Sequence, residues 1–392
     1  MLTNPMFLDN GNTMENVKQK YMFLYLKTGG GHLAPAKAVA GYFERYFPDT
    51  SSVILVDGLK EAPEYSRFIL EDGYRILQNN AKWSFEFLYA VNKLSMFAKY
   101  NSTLVSGRVI PYIKQQILNE KPDKIVIFHF FLIKPVYAII KKAKLNIPVI
   151  TVVTDPYSAH PVWFLNKKQK MVVFSEQVKQ YAITQKIKPN NINVFHFLLD
   201  EKFSNPLNKD DIPILKQKYN IKANNKTVLI VGGGDGIPRG SIILTKLIEA
   251  NINANIIIVC GKNNKLYKFA NKLKIKKDAQ NLHIYGYVDF IYDLLNISDI
   301  VISKCGASTF MEILLSKKIP VITDYIWEQE KGNVDYLVEN KMGIFEKKLK
   351  KLPEIISKLI EDEVYYSSFI NNIKNAKIRN GLREFSEFLH NY

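Results

Sequence analysis

The sequence predicts an α/β protein of two doubly wound, Rossmann-like domains facing a central cleft, and three observations carry that prediction. Short apolar runs alternate with longer amphipathic segments along the chain, the rhythm of parallel strands joined by crossover helices. The rhythm occurs twice, on either side of a polar stretch, LLDEKFSNPLNKDDIPIL from Leu198, that carries Pro206 and Pro213. At 392 residues the chain is also longer than one hydrophobic core ordinarily serves. The boundary is set in the polar stretch, giving domains 1–204 and 205–392.

In the first half, strands are expected at YMFLYL from Tyr21, SVILV from Ser52, KIVIF from Lys124, PVITVV from Pro148 and MVVF from Met171. In the second half they are expected at TVLIV from Thr227, NIIIVC from Asn255, LHIY from Leu282, DIVIS from Asp299 and PVIT from Pro320. Most are apolar without alternation, as strands covered by helices on both faces must be. The segment from Tyr65 to Val105 departs from this rhythm. It is helical in pattern and interleaves aromatics such as Phe68, Trp83, Phe87 and Tyr89 with Lys82, Lys93 and Lys99. That combination suits either an interfacial membrane element or a helix whose aromatics pack on the sheet. The Lys-rich tail from Lys350 reads as helical and solvated, with its last helix packing back on the first domain.

Composition bounds the function. Hydrophobic residues at 47% and charged residues at 23% describe an ordinary globular protein and exclude a disordered or fibrous one. The 54 Lys and Arg against 37 Asp and Glu leave a net charge of +17, a field that attracts nucleic acid, anionic lipid or phosphorylated substrates. Cys260 and Cys305, the 2 cysteines, are too few for a disulfide framework or a four-cysteine zinc site and read as reduced core thiols. The N-terminal stretch lacks the apolar core of a secretory signal, so export is not expected. The most apolar stretch, Ile125 to Ile140, is interrupted by His129, Lys134 and Pro135 and reads as a buried strand followed by a helix.

Four motifs carry candidate chemistry. The first is Lys27-Thr28-Gly29-Gly30-Gly31-His32, between the first strand and a helical pattern starting near Ala34. Its glycines let a ligand approach the backbone, and the helix start behind them offers unpaired N–H groups. His32, at a strand's carboxyl end, sits where a general base belongs, or serves the fold alone. The second is Gly232-Gly233-Gly234-Asp235-Gly236, either a phosphate cradle or a plain tight turn. The third runs from Ser303 to Asn333. Gly306, Ala307, Ser308 and Thr309 occupy a strand-to-helix junction that suits an anion, and Glu312 falls one turn into the helix, where it can meet ribose hydroxyls. Gln329, Glu330 and Asn333 cluster at the next helix start and suit sugar hydroxyls. Together these groups, at the carboxyl ends of successive strands, point to a nucleotide-sugar site. The fourth is Thr154-Asp155 with His160 and Trp163, where Asp155 and His160 face the cleft or start a turn.

These motifs, in this order, resemble the monogalactosyldiacylglycerol synthase and processive diacylglycerol glucosyltransferase group, related to the family 28 glycosyltransferase that completes lipid II. The likeness runs from TGGGH through TD...H..W, VGGGDG, VCGKN at Val259 to Asn263, YGYV at Tyr285 to Val288 and SDIVISK.G..T..E to EQE..N. It implies a GT-B fold whose second domain holds a UDP-sugar and whose first receives a lipid acceptor. By the same resemblance His32 is the base, Asp155 is a further catalytic residue lining the acceptor side of the cleft with His160, and Gly30 and Gly31 lie on that side too. Gly306 to Thr309 meet the diphosphate, Glu312 the ribose, Gln329 and Glu330 the sugar, and the backbone near Tyr287 and Val288 the uracil. Gly233, Gly234, Lys304 and Asn333 complete the donor side. The implied reaction moves galactose or glucose from UDP-galactose or UDP-glucose to diacylglycerol with inversion, at an anionic membrane surface.

No metal or cofactor is expected, because no acidic DxD-type motif stands beside these loops. Nucleic acid is not an expected partner, since no RNA-binding or zinc-finger signature accompanies the charge. The expected location is cytoplasmic, peripheral on the inner face of the cell membrane. The alternatives are N-acetylglucosamine transfer to a polyprenyl-linked precursor, UDP-sugar epimerisation, and a non-catalytic UDP-sugar or nucleic-acid binder. Two positions depart from the group's pattern, Ala307 and the pair Trp327-Glu328, and the second alters the loop beside the donor sugar.

Overall fold

The structure, a computed structural model, describes residues 18–27, 30–61, 64, 110–205, 207, 208, 210–326 and 329–392. The aromatic segment 65–105, Thr28, Gly29 and the Trp327-Glu328 pair lie outside the described residues.

Two parallel sheets of six strands organise the described chain. The first contains β1 (Gln19–Tyr25), β2 (Ser51–Asp57), β3 (Lys124–Ile127), β4 (Val149–Val152), β5 (Lys170–Val173) and β6 (Ile192–Val194), in the order β2-β1-β3-β4-β5-β6. The second contains β7 (Thr227–Ile230), β8 (Asn255–Val259), β9 (Leu282–Tyr285), β10 (Ile300–Lys304), β11 (Ile319–Asp324) and β12 (Ile344–Phe345), in the order β12-β11-β10-β7-β8-β9. All ten expected strands are present. β6 and β12 were not expected: they are 3 and 2 residues long, too short for a pattern to register.

Strand β1 shows why the runs are apolar throughout. Tyr21, Phe23 and Tyr25 enter one buried cluster while Met22 and Leu24 enter another on the opposite face. The first of these clusters continues into the second sheet through Leu229, Ile257 and Phe310, so the two halves share buried surface. Cys260 and Cys305 are buried free thiols.

The helices on these sheets are α1 (Gly30–Tyr46), α2 (Ile133–Ala143), α3 (Glu176–Thr184), α4 (Asp211–Lys218), α5 (Gly240–Glu249) and α6 (Asn264–Lys276). They continue with α7 (Ile291–Asn296), α8 (Ala307–Leu315), α9 (Lys331–Glu339), α10 (Leu352–Glu361), α11 (Glu363–Asn375) and α12 (Leu382–Asn391). No described helix is long and apolar enough to cross a membrane.

The tail is helical but not merely solvated, because Leu352, Ile356, Leu359, Leu382, Phe385 and Leu389 are buried along one stripe of its helices. Its last helix, α12, lies on α1 and the start of the first sheet. The His390 ring stacks on Phe47 at 4.1 Å and meets Ser51 Oγ at 3.2 Å. The Lys124 ammonium donates to the carbonyls of Leu389 at 3.3 Å and His390 at 3.4 Å. A cation is thus set on the negative end of the helix dipole.

The strand orders place the chemistry. In the first sheet the chain passes from β1 to β2 on one side and then crosses to β3 on the other, so β1 and β3 flank a topological switch point. In the second sheet β7 and β10 do the same. Open parallel sheets bind ligands at the carboxyl ends of such strand pairs. The His32, Gly233 and Ser308 motifs follow β1, β7 and β10, which puts them at the two switch points, and the remaining candidates follow β4, β9 and β11 at the same carboxyl edges.

Candidate active site

On the first sheet, α1 begins at Gly30, four residues before the pattern suggested, so Gly30 and Gly31 form its first turn. A side chain at Gly31 would meet nothing within 4 Å among the described residues, which leaves this turn open on their side. His32 is buried immediately behind it. Its Nδ1 lies 3.0 Å from the Phe128 carbonyl at the end of β3 and 2.7 Å from Thr154 Oγ1 at the end of β4. A carbonyl only accepts, so Nδ1 carries the proton and Nε2 keeps its lone pair. Burial pushes the His32 imidazolium down to about 4, against a small upward pull from the Phe128 carbonyl. The ring is therefore neutral at pH 7. His129 packs beside it at 4.3 Å between ring centroids, and its own pKa is lowered by burial and by the His32 charge.

Asp155 does not hold His32; Thr154 and Phe128 do. The Asp155 carboxylate accepts from Trp163 Nε1 at 2.8 Å and from Gln329 Nε2 at 3.4 Å. Burial raises its pKa to about 7, and the nearby Glu330 charge adds to the rise, while the two donors oppose it. His160 caps the 3₁₀ turn Pro161–Phe164, its Nδ1 accepting from the Val162 N–H at 3.1 Å. That turn seats the fully buried Trp163, which reaches Asp155.

On the second sheet the glycine motif divides by function. Gly232 and Gly236 are structural, because added side chains would meet the Ile237 backbone at 2.3 Å and the Cys260 carbonyl at 2.7 Å. Gly233 and Gly234 face open space. The loop after β8 ties in through the Lys262 N–H, which donates to the Gly234 carbonyl at 2.8 Å. Gly261 N–H donates to Gly286 at 3.2 Å, beside the partly buried Val288. Three strand-end loops thus form one surface.

At the other side of that switch point, α8 starts at Ala307 with Gly306 as its N-cap. The first N–H groups of a helix have no partner within it. Ser308 Oγ in that turn is buried without a hydrogen-bond partner among the described residues. Lys304 Nζ sits 3.0 Å from where a Gly306 side chain would begin, so glycine makes room for a cation at the helix start. Glu330 places that cation: its Oε1 meets Lys304 Nζ at 3.1 Å and its Oε2 accepts the Ile326 N–H at 2.7 Å. Both Glu330 oxygens are therefore engaged. Asn333 donates to the Cys305 carbonyl at 3.1 Å. Thr309 shares the first turn of α8. Glu312 lies one turn further in, its pKa raised to about 7 by burial, with Lys202 opposing and Asp200 adding. Among the described residues no group of three or more His, Cys, Asp or Glu side chains is placed to hold a metal ion.

A seam joins the two sides. Ser158 Oγ donates to the Gln329 carbonyl at 2.8 Å and accepts from the Gly332 N–H at 3.3 Å. The Tyr157 ring stacks on Tyr336 at 3.8 Å. Sequence reasoning missed Tyr157, Ser158, Gly332 and Tyr336, and it named Thr154 without a role, since that role depends on which neighbour faces it across the fold. The glycine at 332, just inside a helix start, was the available signal: a side chain there would meet the Tyr157 carbonyl at 2.5 Å.

Residues 32–196 match the family model for monogalactosyldiacylglycerol (MGDG) synthase, and residues 227–387 match that for the glycosyltransferase family 28 C-terminal domain. The chain belongs to the MGDG synthase group of family 28 glycosyltransferases. Within that group it is similar to MGDG synthase 3 of Arabidopsis thaliana, 28% identical over 349 residues covering 86% of this chain and 73% of the relative. The MGDG synthase of Spinacia oleracea is 26% identical over 351 residues, covering 86% of this chain and 66% of the relative. The chain thus spans about two thirds of the length of such curated relatives. In three dimensions it is similar to Anabaena Alr3699/HepE in complex with UDP-glucose, with a TM-score of 0.58 at 15% identity over 95% of this chain and 100% of that one. It is also similar to Acinetobacter baumannii MurG, with a TM-score of 0.55 at 14% identity over 95% and 100% of the two chains. These likenesses identify the fold of this chain as GT-B.

Proposed function

We propose that this glycosyltransferase moves galactose or glucose from a UDP-sugar to the hydroxyl of diacylglycerol, with inversion, at the cytoplasmic face of the cell membrane. The observation that carries the reading is the His32 imidazole, held through Nδ1 by Phe128 and Thr154 so that Nε2 is free to take a proton. His32 deprotonates the acceptor hydroxyl as its oxygen attacks the anomeric carbon, and UDP leaves from the opposite face. The acceptor enters over Gly30 and Gly31. The charge developing on UDP falls to the first N–H groups of α8, from Ala307 to Thr309, and to Lys304, so the reaction needs no metal. Glu312 takes the ribose and the Val288 loop the uracil. The sugar lies by Gln329, whose carbonyl and amide both reach the acceptor half. Glu330 and Asn333 shape that pocket by holding Lys304 and the Cys305 backbone. The names of the plant relatives support the diacylglycerol product, and the UDP-glucose complex of a GT-B neighbour supports the donor class.

The test is incubation with UDP-galactose, UDP-glucose and UDP-N-acetylglucosamine and diacylglycerol in anionic vesicles, with products identified by mass spectrometry. A monohexosyl or dihexosyl diacylglycerol is expected. Transfer only to a polyprenyl phosphate acceptor would replace the reading. In the same assay His32→Ala should lose roughly 10²–10⁴ in rate with UDP binding kept. Near-wild-type turnover of that variant removes His32 from the chemistry.

A further inference from the structure

Helix α6, Asn264–Lys276, is fixed in rotation on the second sheet. Leu266, Ala270 and Leu273 are buried beneath it, Asn263 Oδ1 caps it by accepting the Leu266 N–H at 2.9 Å, and Lys274 Nζ reaches back to the Leu282 carbonyl at 2.6 Å. The face turned to water is therefore defined. It carries exposed Lys265, Lys268, Lys272 and Lys276 with no ion pair among the described residues, and Ile275 at 82% exposure. Tyr267 is 40% exposed on one flank and Phe269 37% on the other.

This charge pattern works against the helix that bears it. Lys268, Lys272 and Lys276 repeat every four residues, so each repels the next along one face. No acid lies in the first turn, where the helix dipole favours one, and Lys265 stands there instead. The nearest acid past the end, Asp278, accepts from Gln280 Nε2 at 2.6 Å. An arrangement that weakens its own helix is relieved by an external polyanion. The exposed isoleucine among these lysines decides which kind. A branched aliphatic side chain gains nothing from stacking on bases, but it gains by entering the acyl boundary of a bilayer while the lysine stems reach the headgroups. Beyond the end of β9 and the start of α6 the pattern continues in Tyr287, 68% exposed, with Lys262 Nζ 5.8 Å from its ring centroid.

We propose that the outer face of α6 is a membrane-docking surface of the second domain, specific for anionic lipid. It rests on the lipid-acceptor reading only for the choice of a bilayer as partner. Docking by this helix holds the donor domain at the surface from which the acceptor comes, so the cleft is anchored on its donor side.

The test is sedimentation of the full chain with vesicles of phosphatidylcholine alone or mixed with phosphatidylglycerol, without UDP-sugar, so that its outcome does not depend on turnover. Lys268→Gln with Lys272→Gln should weaken binding to the mixed vesicles by about thirtyfold. Ile275→Ser should weaken it by about tenfold, the lower end of what loss of a buried apolar side chain predicts. UDP binding by calorimetry should be unchanged in each variant, which certifies the fold. Binding to mixed vesicles as tight as wild type in both variants overturns the proposal. So does a loss confined to binding of a single-stranded oligonucleotide, which would assign the face to nucleic acid.

Discussion

Asp155 offers a quantitative test of the site's electrostatics. The perturbation is Asp155→Asn, which keeps the shape and an oxygen to accept from Trp163 Nε1 while removing the charge. In the folded protein the carboxyl has its pKa raised from 3.8 to about 7, chiefly because burial penalises the carboxylate and partly because Glu330 is near. At 1.36 kcal/mol per pKa unit, that rise costs the folded state up to about 4 kcal/mol once the group is ionised. The sign follows from linkage. Between pH 3.8 and about 7 the folded state binds the proton and the unfolded chain has released it, so stability falls as pH rises through that window and levels off above it.

His32, whose pKa is lowered to about 4, works in the opposite sense, adding stability as pH rises towards 6.5. It is present in both proteins and cancels in their difference. Urea unfolding of wild type and Asp155→Asn should therefore coincide near pH 4 and separate in the variant's favour by several kcal/mol near pH 8. A difference that stays constant with pH would show that the carboxylate is solvated in the folded protein, and the buried Trp163–Asp155–Gln329 bridge would be wrong.

Two further outcomes test the scaffold. Gly332→Ala puts a methyl against the Tyr157 carbonyl, 2.5 Å from the ideal position, where backbone must move. It should cost about 1–3 kcal/mol of stability as an overpacking change, and raise the KM for UDP-sugar as the Tyr157–Tyr336 stack is displaced, which thermal unfolding and steady-state kinetics would read. Lys124→Met removes the cation on the end of α12 and should cost about 1–2 kcal/mol. Hydrogen exchange should show faster opening of residues 382–391 with the second sheet unaffected.

Most of the fold was legible because parallel strands covered on both faces must be apolar throughout, and runs such as TVLIV and NIIIVC have no other economical reading. The short edge strands escaped because Ile344–Phe345 has no room for a period. The site was legible where chemistry depends on chain-local placement. Glycines after a strand, a histidine at a helix start and small residues at the next helix start are local patterns. It was illegible where a side chain's partner is set by topology. The sequence puts Asp155 one residue from Thr154 and offers no means of telling which of them meets His32. Strand β4 beside β3 brings Thr154 to the ring and leaves Asp155 for Trp163 and Gln329. The contacts of Glu330 with Lys304 and the Ile326 amide were hidden for the same reason, since they appear only when the strand ends converge.

The two switch points differ in a way that follows from the reaction proposed for them. At the first, His32 and His129 are pushed down and are neutral near pH 7, and Asp155, pushed up to about 7, carries only part of its charge there. A diacylglycerol hydroxyl is uncharged, and a neutral, buried surround lets it approach the base without competing ions. At the second, Lys304 stands at the start of α8 beside the unpaired helix N–H groups, a concentration of positive character suited to a leaving diphosphate. The seam of Ser158, Gln329 and Gly332 couples them, because Gln329 belongs to the donor loop and donates to a carboxylate of the acceptor side. Ionisation of Asp155 strengthens that bond and protonation weakens it, as charged acceptors hold hydrogen bonds more tightly than neutral ones. The charge that destabilises the folded chain thus tightens the contact across the cleft. Transfer should therefore gain with pH through about 7, at the upper end of the window in which stability is lost, and Asp155→Asn should flatten both dependences.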